Sequence, residues 1–283
     1  GMIRDRNWRG MQLSVLDYVK SHFGNTATVV PRAFYISQAR GERAYVDFVV
    51  SETGRWSFAN SLLGLAAEET EVMDVQGLLK AGRWFRKGET QAVILPEEMA
   101  ALVGIDIADV GRARLRMLGV EMTVIGIIDS KAFDQLKDID DERMTPVDTT
   151  METAITSDRR NLSDDPRLSA SSPVEPATHM DACNTMVLPY EFLMEMGGTL
   201  RSIALTDFRD AHGNPLDEIR PQIEDFMARV SLTMFVGIRD RVTVYSSIGS
   251  TTMSGVSNLV IPLAIAALIV LNTMMGAGYE RFR

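Results

Sequence analysis

Apolar positions along the chain change their period several times, and each change predicts an element. In "MQLSVLDYVKSHFG", Leu13, Leu16, Tyr18 and Phe23 recur at helical spacing and Gly24 stops the run. "TATVVPRAFYIS" and "RAYVDFVVSE" are rich in β-branched and aromatic residues and predict strands, with "QARGE" between them as a hairpin turn. "LLGLAAEETEVMDVQGLLKAGRWF" follows as short helix or turn sequence, punctuated by Gly77 and Gly82.

The middle of the chain is patterned most clearly. "QAVIL" is a short buried strand, and Pro96 then opens a helix whose Glu97 and Glu98 suit the positive end of its dipole. Met99, Leu102 and Val103 form its apolar face, and Gly104 ends it. "GRARLRMLG" alternates, with Ala113, Leu115 and Met117 on one face and Arg112, Arg114 and Arg116 on the other. "VEMTVIGIID" runs back as its hairpin partner. The arginine row predicts a solvated face.

From 145 to 181 the periodicity collapses into Ser, Thr, Asp and Pro, which reads as a long surface loop. The earlier grammar then returns. "MVLPYEFLMEMG" (186–197) aligns with "VILPEEMAALVG" (93–104): apolar strand, Leu-Pro, an acid two places on, an apolar helix face and a closing glycine. "TLRSIALTD" follows as a strand. "NPLDEIRPQIEDFMARV" carries an amphipathic stripe of Ile219, Ile223, Phe226, Met227 and Val230. Asn214 and Pro215 form an N-cap pair, and Pro221 kinks that helix or marks its true start. "SLTMFVGIRDRVTVYSS" closes this part with strand-like residues. Short strands, hairpins and a few helices together predict an α+β fold with one segment inserted into another.

The last pattern differs from all the others. Between Leu259 and Ala277 the only clearly polar side chains are Asn272 and Thr273, and Pro262 lies in the first turn or so. Nineteen residues at about 1.5 Å each span roughly 28 Å, enough to cross a bilayer core. A soluble helix of this length shows a polar face, and this run has none before Asn272. Arg281 and Arg283 follow, as expected of a cytoplasmic end. The run is therefore expected to be a membrane span through Leu259, Pro262, Leu268, Asn272 and Ala277, leaving the membrane at Glu280 and Arg281. Residues 1 to about 255 are then extracytoplasmic.

Composition narrows the function classes. With 38 acidic and 29 basic residues among 283, the chain has a net charge of −9 and no basic stripe, which excludes nucleic-acid backbone as a partner. A single cysteine, Cys183, forms no intrachain disulfide and no cysteine-based zinc site. The opening "MIRDRNWRG" is polar and is not a signal peptide, so the chain is cytosolic or its native start lies upstream of Gly1.

Catalytic equipment is sparse. His22, His179 and His212 lie far apart and read as isolated, solvent-facing histidines. There is no Gly-x-Ser-x-Gly elbow, and nothing pairs Cys183 with a histidine. The acidic run "KDIDDERM" holds Asp138, Asp140, Asp141 and Glu142, but an EF-hand needs glycine and glutamate where Arg143 and Thr149 stand. It reads as a solvated turn. "GAGYER" at Gly276 lacks the last glycine of a dinucleotide fingerprint, and no P-loop occurs. These patterns imply no cofactor, no metal and no enzyme, with any ATP hydrolysis performed by another chain.

Two blocks resemble a known family. "VSNLVIPLAIAALIVLNTMMGAGYERFR" resembles the opening of the FtsX-like permease domain, where a transmembrane helix carries an Asn-Thr-Met-type element and exits at a Glu-Arg. "QAVILPEEMAALVGIDIADVGRARLRMLGVEMTVIGIIDS" is similar to the recurring segment of MacB-like extracytoplasmic domains, and "NTMVLPYEFLMEMGGTLRSIALTD" to their closing half. The 145–181 loop is no part of that pattern. The resemblance implies a two-lobed extracytoplasmic domain of an ABC-transporter permease. A porter-like lobe would comprise 11–60 with 182–250, an inserted mostly-β lobe 61–144, and 251–283 the stalk and transmembrane helix. It implies the membrane, a separate ABC ATPase subunit, a permease dimer and an extracytoplasmic partner protein as the associations of the chain. The alternative is a single-span membrane-anchored binding or sensor module with no ATPase.

Overall fold

The computed structural model describes residues 1–5, 10–36, 38–39, 42–43, 45–148, 178–209, 219–238 and 241–246. The first half runs β1 (Met2–Arg4), α1 (Leu13–Phe23), β2 (Thr28–Tyr35), β3 (Gln38–Ala39), β4 (Glu42–Arg43), β5 (Val46–Val50), β6 (Trp56–Ala59), β7 (Ser61–Leu65), β8 (Leu79–Gly82), β9 (Ala92–Pro96) and α2 (Glu97–Val103). It continues with β10 (Arg114–Met117), β11 (Val120–Ile128), α3 (Ser130–Gln135), β12 (Thr185–Pro189), α4 (Tyr190–Glu195), β13 (Thr199–Thr206), α5 (Arg220–Met227), β14 (Thr233–Ile238) and β15 (Arg241–Ser246). Among the described residues this is a mixed sheet with few helices, and none of those helices is long and apolar enough to cross a membrane. The expected span residues Leu259, Pro262, Leu268, Asn272 and Ala277, and the exit residues Glu280 and Arg281, lie outside the described residues, as do 149–177 of the polar loop.

Thirteen of the described strands form one sheet in the order β15-β14-β1-β13-β2-β7-β12-β9-β11-β10-β5-β6, with β8 also on β11. The two Leu-Pro units meet at its centre. β9 and β12 run antiparallel side by side with Val187 opposite Ile94, and each is parallel to its other neighbour, β11 and β7 respectively. The repeated sequence grammar thus becomes a local two-fold-like arrangement, each strand turning through its proline into a short helix. Gly104 takes the left-handed conformation, φ 71°, that ends α2.

The strand order hides a closure. β6 stands at one end of it, six spacings from β7, which at about 4.8 Å per spacing would be roughly 29 Å in a flat sheet. Yet only Asn60 separates the two strands in sequence, a reach of about 7 Å. The sheet must therefore curl so that β6 and β7 become one bent strand, and β7, β12, β9, β11, β10, β5 and β6 form a ring. The ring takes strands from 46–59 and 185–189 as well as from 61–128.

Alternation then sorts the side chains into two cores. Val46, Phe48, Val93, Leu95, Leu115, Met117, Val124 and Leu188 belong to one, with Met99, Ala100 and Val103 of α2 packed among them. The intervening residues Ile94, Val187, Leu63 and Leu65 belong to a second core with Val75, Trp84, Phe85 and Phe133. Strands covered on both faces need no alternation, which is why "AVILP" and "TMVLP" read as unbroken apolar runs.

Several expectations change. β2 and β5 do not form a hairpin with each other: β2 pairs with β7 and β13, β5 with β6 and β10, and "QARGE" builds only the β3–β4 pair. "SLLGL", expected as part of a helix or turn stretch, is a central strand. The polar opening supplies β1, held between β13 and β14. Pro221 lies in the first turn of α5 and so marks its start, while Asn214 and Pro215 lie outside the described residues.

Candidate functional site

The least ordinary chemistry of the described residues gathers where the acidic run meets the sheet. β2 is almost wholly buried, yet it carries Arg32 with 1% of its surface exposed, and β1 carries Arg4 at 3%. An arginine so placed needs partners for its charge and its donors. Arg32 Nε donates to Glu69 Oε2 at 3.0 Å and Nη2 to Glu69 Oε1 at 2.6 Å; Glu69 is itself fully buried in the 3-10 turn Ala67–Glu71. Nη1 of Arg32 pairs with Asp138. Arg4 Nε donates to Asp140 Oδ2 at 2.8 Å, and its guanidinium lies 5.0 Å from the Phe235 ring of β14.

The acidic run is therefore not a solvated turn. It leaves α3 as a loop closed by the antiparallel bridge of Lys137 with Arg143 and by Asp138 N–H donating to Glu142 O at 2.9 Å. Asp141 takes φ 64° at its tip, and of its four acids only Asp141 is mostly exposed, paired with Lys137. Asp138 reaches β2, Asp140 reaches β1, and Ile139 approaches Gly237 of β14 so closely that a Cβ there would lie 3.0 Å from Ile139 Cδ1. The loop is a strap that touches β14, β1 and, beyond the intervening β13, β2.

Its charges are set by burial and by each other. Burial acts against ionised Arg32, but Glu69 and Asp138 outweigh it and hold the guanidinium above its ordinary range. Burial pushes the Asp140 carboxyl up, with Arg4 opposing and Asp138 adding to the rise.

The strap also reaches the neck of the polar loop. His179, expected to face solvent, has a side chain only 3% exposed; Nε2 lies 3.0 Å from Glu142 Oε2 and Nδ1 2.6 Å from Thr145 O. Val147 bridges His179, Asp148 N–H donates to Thr178 O at 2.7 Å, and Met180 N–H donates to Pro146 O at 2.8 Å. The two ends of the polar stretch are thus stitched together at 146–148 and 178–180.

Other sequence candidates fall apart in space or find plain roles. His22 sits on α1 among Tyr18, Phe23 and Phe226, and His212 lies outside the described residues. Cys183 is half-buried, its thiol pushed up by burial and then by Asp181, Glu98 and Asp134. The arginine row is a solvated face, as expected: Arg114 pairs with Glu52 and Glu121. No group of three or more metal-ligating side chains converges among the described residues. The strap offers saturated ion pairs and no nucleophile, so its chemistry is that of a fastening. A lone arginine in apolar strand sequence, Arg32, was the one sequence sign of it.

No family model matches the chain, and no curated protein matches it. Among solved structures, the chain is similar to the periplasmic region of MacB from Actinobacillus actinomycetemcomitans, with 13% identity over 87% of each chain and a TM-score of 0.43. It is also similar to the extracellular domain of the noncanonic ABC-type transporter YknZ from Gram-positive bacteria, with 13% identity over 75% of this chain and 78% of that one, at a TM-score of 0.38. With both scores below 0.5, these likenesses carry no functional weight here.

Proposed function

We propose that the chain is the extracytoplasmic domain of an ABC-transporter permease subunit of the FtsX/MacB-like type, with residues 259–277 as a transmembrane helix. It is not itself an enzyme; a partner ATPase drives it, and the domain passes that motion to an extracytoplasmic cargo or partner protein. The reading rests on the order of the sequence blocks: the Leu-Pro strand–helix unit twice, then the apolar run, then Glu280 and Arg281. One structural observation supports a mechanical role. β15, which leads into 247–283, pairs through six residues with β14; β14 pairs with β1, and the strap ties β1 and β2 to the chain that leaves the ring. A pull on residue 247 has a hydrogen-bonded and ion-paired route to the ring.

Topology is the direct test. In intact cells of the native host, a membrane-impermeant thiol reagent labels a cysteine at Leu102 and leaves one at Phe282 unlabelled until the cells are opened. Equal labelling of both positions overturns the span. Three or more further apolar segments after Arg283 in the native gene support the permease, whereas a stop codon there leaves the single-span binding or sensor module.

A further inference from the structure

The outer face of the ring carries a patch that the strap and the proposed motion do not use. On β5, Val46, Phe48 and Val50 are buried and Asp47 and Val49 point out, with Tyr45 exposed just before the strand. Register places Val49 opposite Trp56 and Asp47 opposite Phe58 on β6, and Arg116 of β10 opposite Val49. Trp56 is 67% exposed, Tyr45 51%, Val49 41% and Phe58 39%, and the Tyr45 and Phe58 rings lie 4.4 Å apart. Four large apolar side chains exposed together on one face of adjacent strands mark an interaction surface.

Its charges point to what covers it. Arg114 is neutralised by Glu52 and Glu121, but Arg116 and Asp47 enter no ion pair among the described residues. They are diagonal neighbours on adjacent strands, about 7–8 Å apart and unpaired with each other. Among the described residues the apolar face is thus flanked by a cation, Arg116, which stands opposite Glu121 on β11 without reaching ion-pair distance, and an anion, Asp47, the charge pattern of a surface complementary to itself. Strand spacing and rise fix the geometry: a two-fold axis that lays Arg116 over the Asp47 of a second copy passes beside Val49 and Trp56, so each of these meets its own equivalent. A lipid surface suits the patch less well, because Asp47 stands within it on a chain of net charge −9.

We propose that this face binds the same face of a second copy of the chain, Arg116 of each copy pairing with Asp47 of the other around apposed Val49 and Trp56. The patch is small against the roughly 20–30 residues a side of a standard stable interface, so the contact is weak and depends on concentration. It does not rest on the permease reading, since the face belongs to the ring alone.

The test uses the full chain in mild detergent with Cys183→Ser and one new cysteine. A short bis-maleimide is expected to link Val49→Cys chains into covalent dimers and not Leu13→Cys chains, although Leu13 is the more exposed of the two. Asp47→Arg or Arg116→Asp added to Val49→Cys lowers the linked fraction about tenfold. The two swaps together restore it to within about twofold of the parent. All four positions are on the surface, and matched thermal melts confirm folding. Association through 259–277 would not distinguish position 49 from position 13, nor respond to the swaps. Equal linking at both positions, or failure of the double swap to recover, overturns the proposal. So does a blue shift of Trp56 emission on anionic phosphatidylglycerol vesicles with no linking at position 49.

Discussion

Arg32 and Glu69 meet directly: Nη2 and Nε of the guanidinium donate to both carboxylate oxygens at 2.6 and 3.0 Å, and both side chains are at most 2% exposed. The pair joins β2 to the 3-10 turn after β7, and Asp138 completes it from the strap. Breaking such a pair leaves a charge buried without compensation. Glu69→Leu is therefore expected to destabilise the domain by about 3–5 kcal/mol. Asp138→Asn should cost about half as much, because Asp138 is 11% exposed and water can replace it. Chemical denaturation of both variants checks the order; an equal loss would mean that the strap anchors Arg32 as strongly as the turn does.

Asp140 makes a prediction about pH. Burial raises its pKa in the folded state, so the fold binds its proton more readily than the unfolded chain does. Its contribution to stability is fully present below the ordinary carboxylate pKa and is lost as pH rises through the raised one. Asp140→Asn cannot titrate. The stability of the variant relative to the parent should therefore improve as pH climbs through and just above the carboxylate range, with no further change at neutral pH. Denaturation midpoints of the two chains between pH 3.5 and 7, on the order of a dozen points, measure that difference.

Tyr190 packs at the start of α4 with its hydroxyl buried and without a hydrogen-bond partner among the described residues. Burial, then Glu191 and Asp17, push its pKa up to about 12. Tyr190→Phe removes an unsatisfied polar atom and keeps the ring, so it should stabilise the domain by about 1 kcal/mol. In the parent, ionisation of the raised phenol costs stability as pH rises from the ordinary tyrosine pKa towards 12. The margin in favour of the variant should widen over that range, which thermal melts at alkaline pH will show.

Gly64 lies in β7 beneath α4. A Cβ there would stand 2.8 Å from Leu193 Cδ2, 3.0 Å from Leu193 Cβ and 3.3 Å from Ala33 Cβ. The missing side chain is what lets the helix rest against the sheet. Gly64→Ala should cost about 1–3 kcal/mol through overpacking, and pairing it with Leu193→Ala should recover part of that loss. A double-mutant cycle decides whether the two positions are coupled.

The stitched neck predicts that the polar stretch is dispensable for folding of the rest. Replacing 150–176 by a two-residue Asn-Gly turn should move the melting temperature by no more than about 3 °C, since Val147 and His179 are already paired. A larger fall would show that the excised residues hold the domain together.

Local grammar reached far in this chain. The αL glycine after α2, the paired Leu-Pro units, the β10–β11 hairpin and the stripe on α5 were all legible, because each depends on neighbours within about a dozen residues. β6 and β7 were not. "SLLGL" is short, apolar and glycine-containing, and periodicity cannot tell a doubly covered strand from a helix or turn. β1 was missed because two of its three residues, Met2 and Arg4, face a polar cluster whose members lie 30 and 136 places away, Arg32 beside Met2 and Asp140 beside Arg4.

The sequence by itself determined where most of the described strands and helices lie, that the Leu-Pro unit is used twice, and that one long apolar run follows the last described strand. These follow from backbone sterics and from burial that each segment can express alone. Only the tertiary structure decided that the acidic run is a buried strap and not a solvated turn. An aspartate reads as soluble until an arginine from a strand 136 or 106 places away is set beside it, which only the folded sheet does.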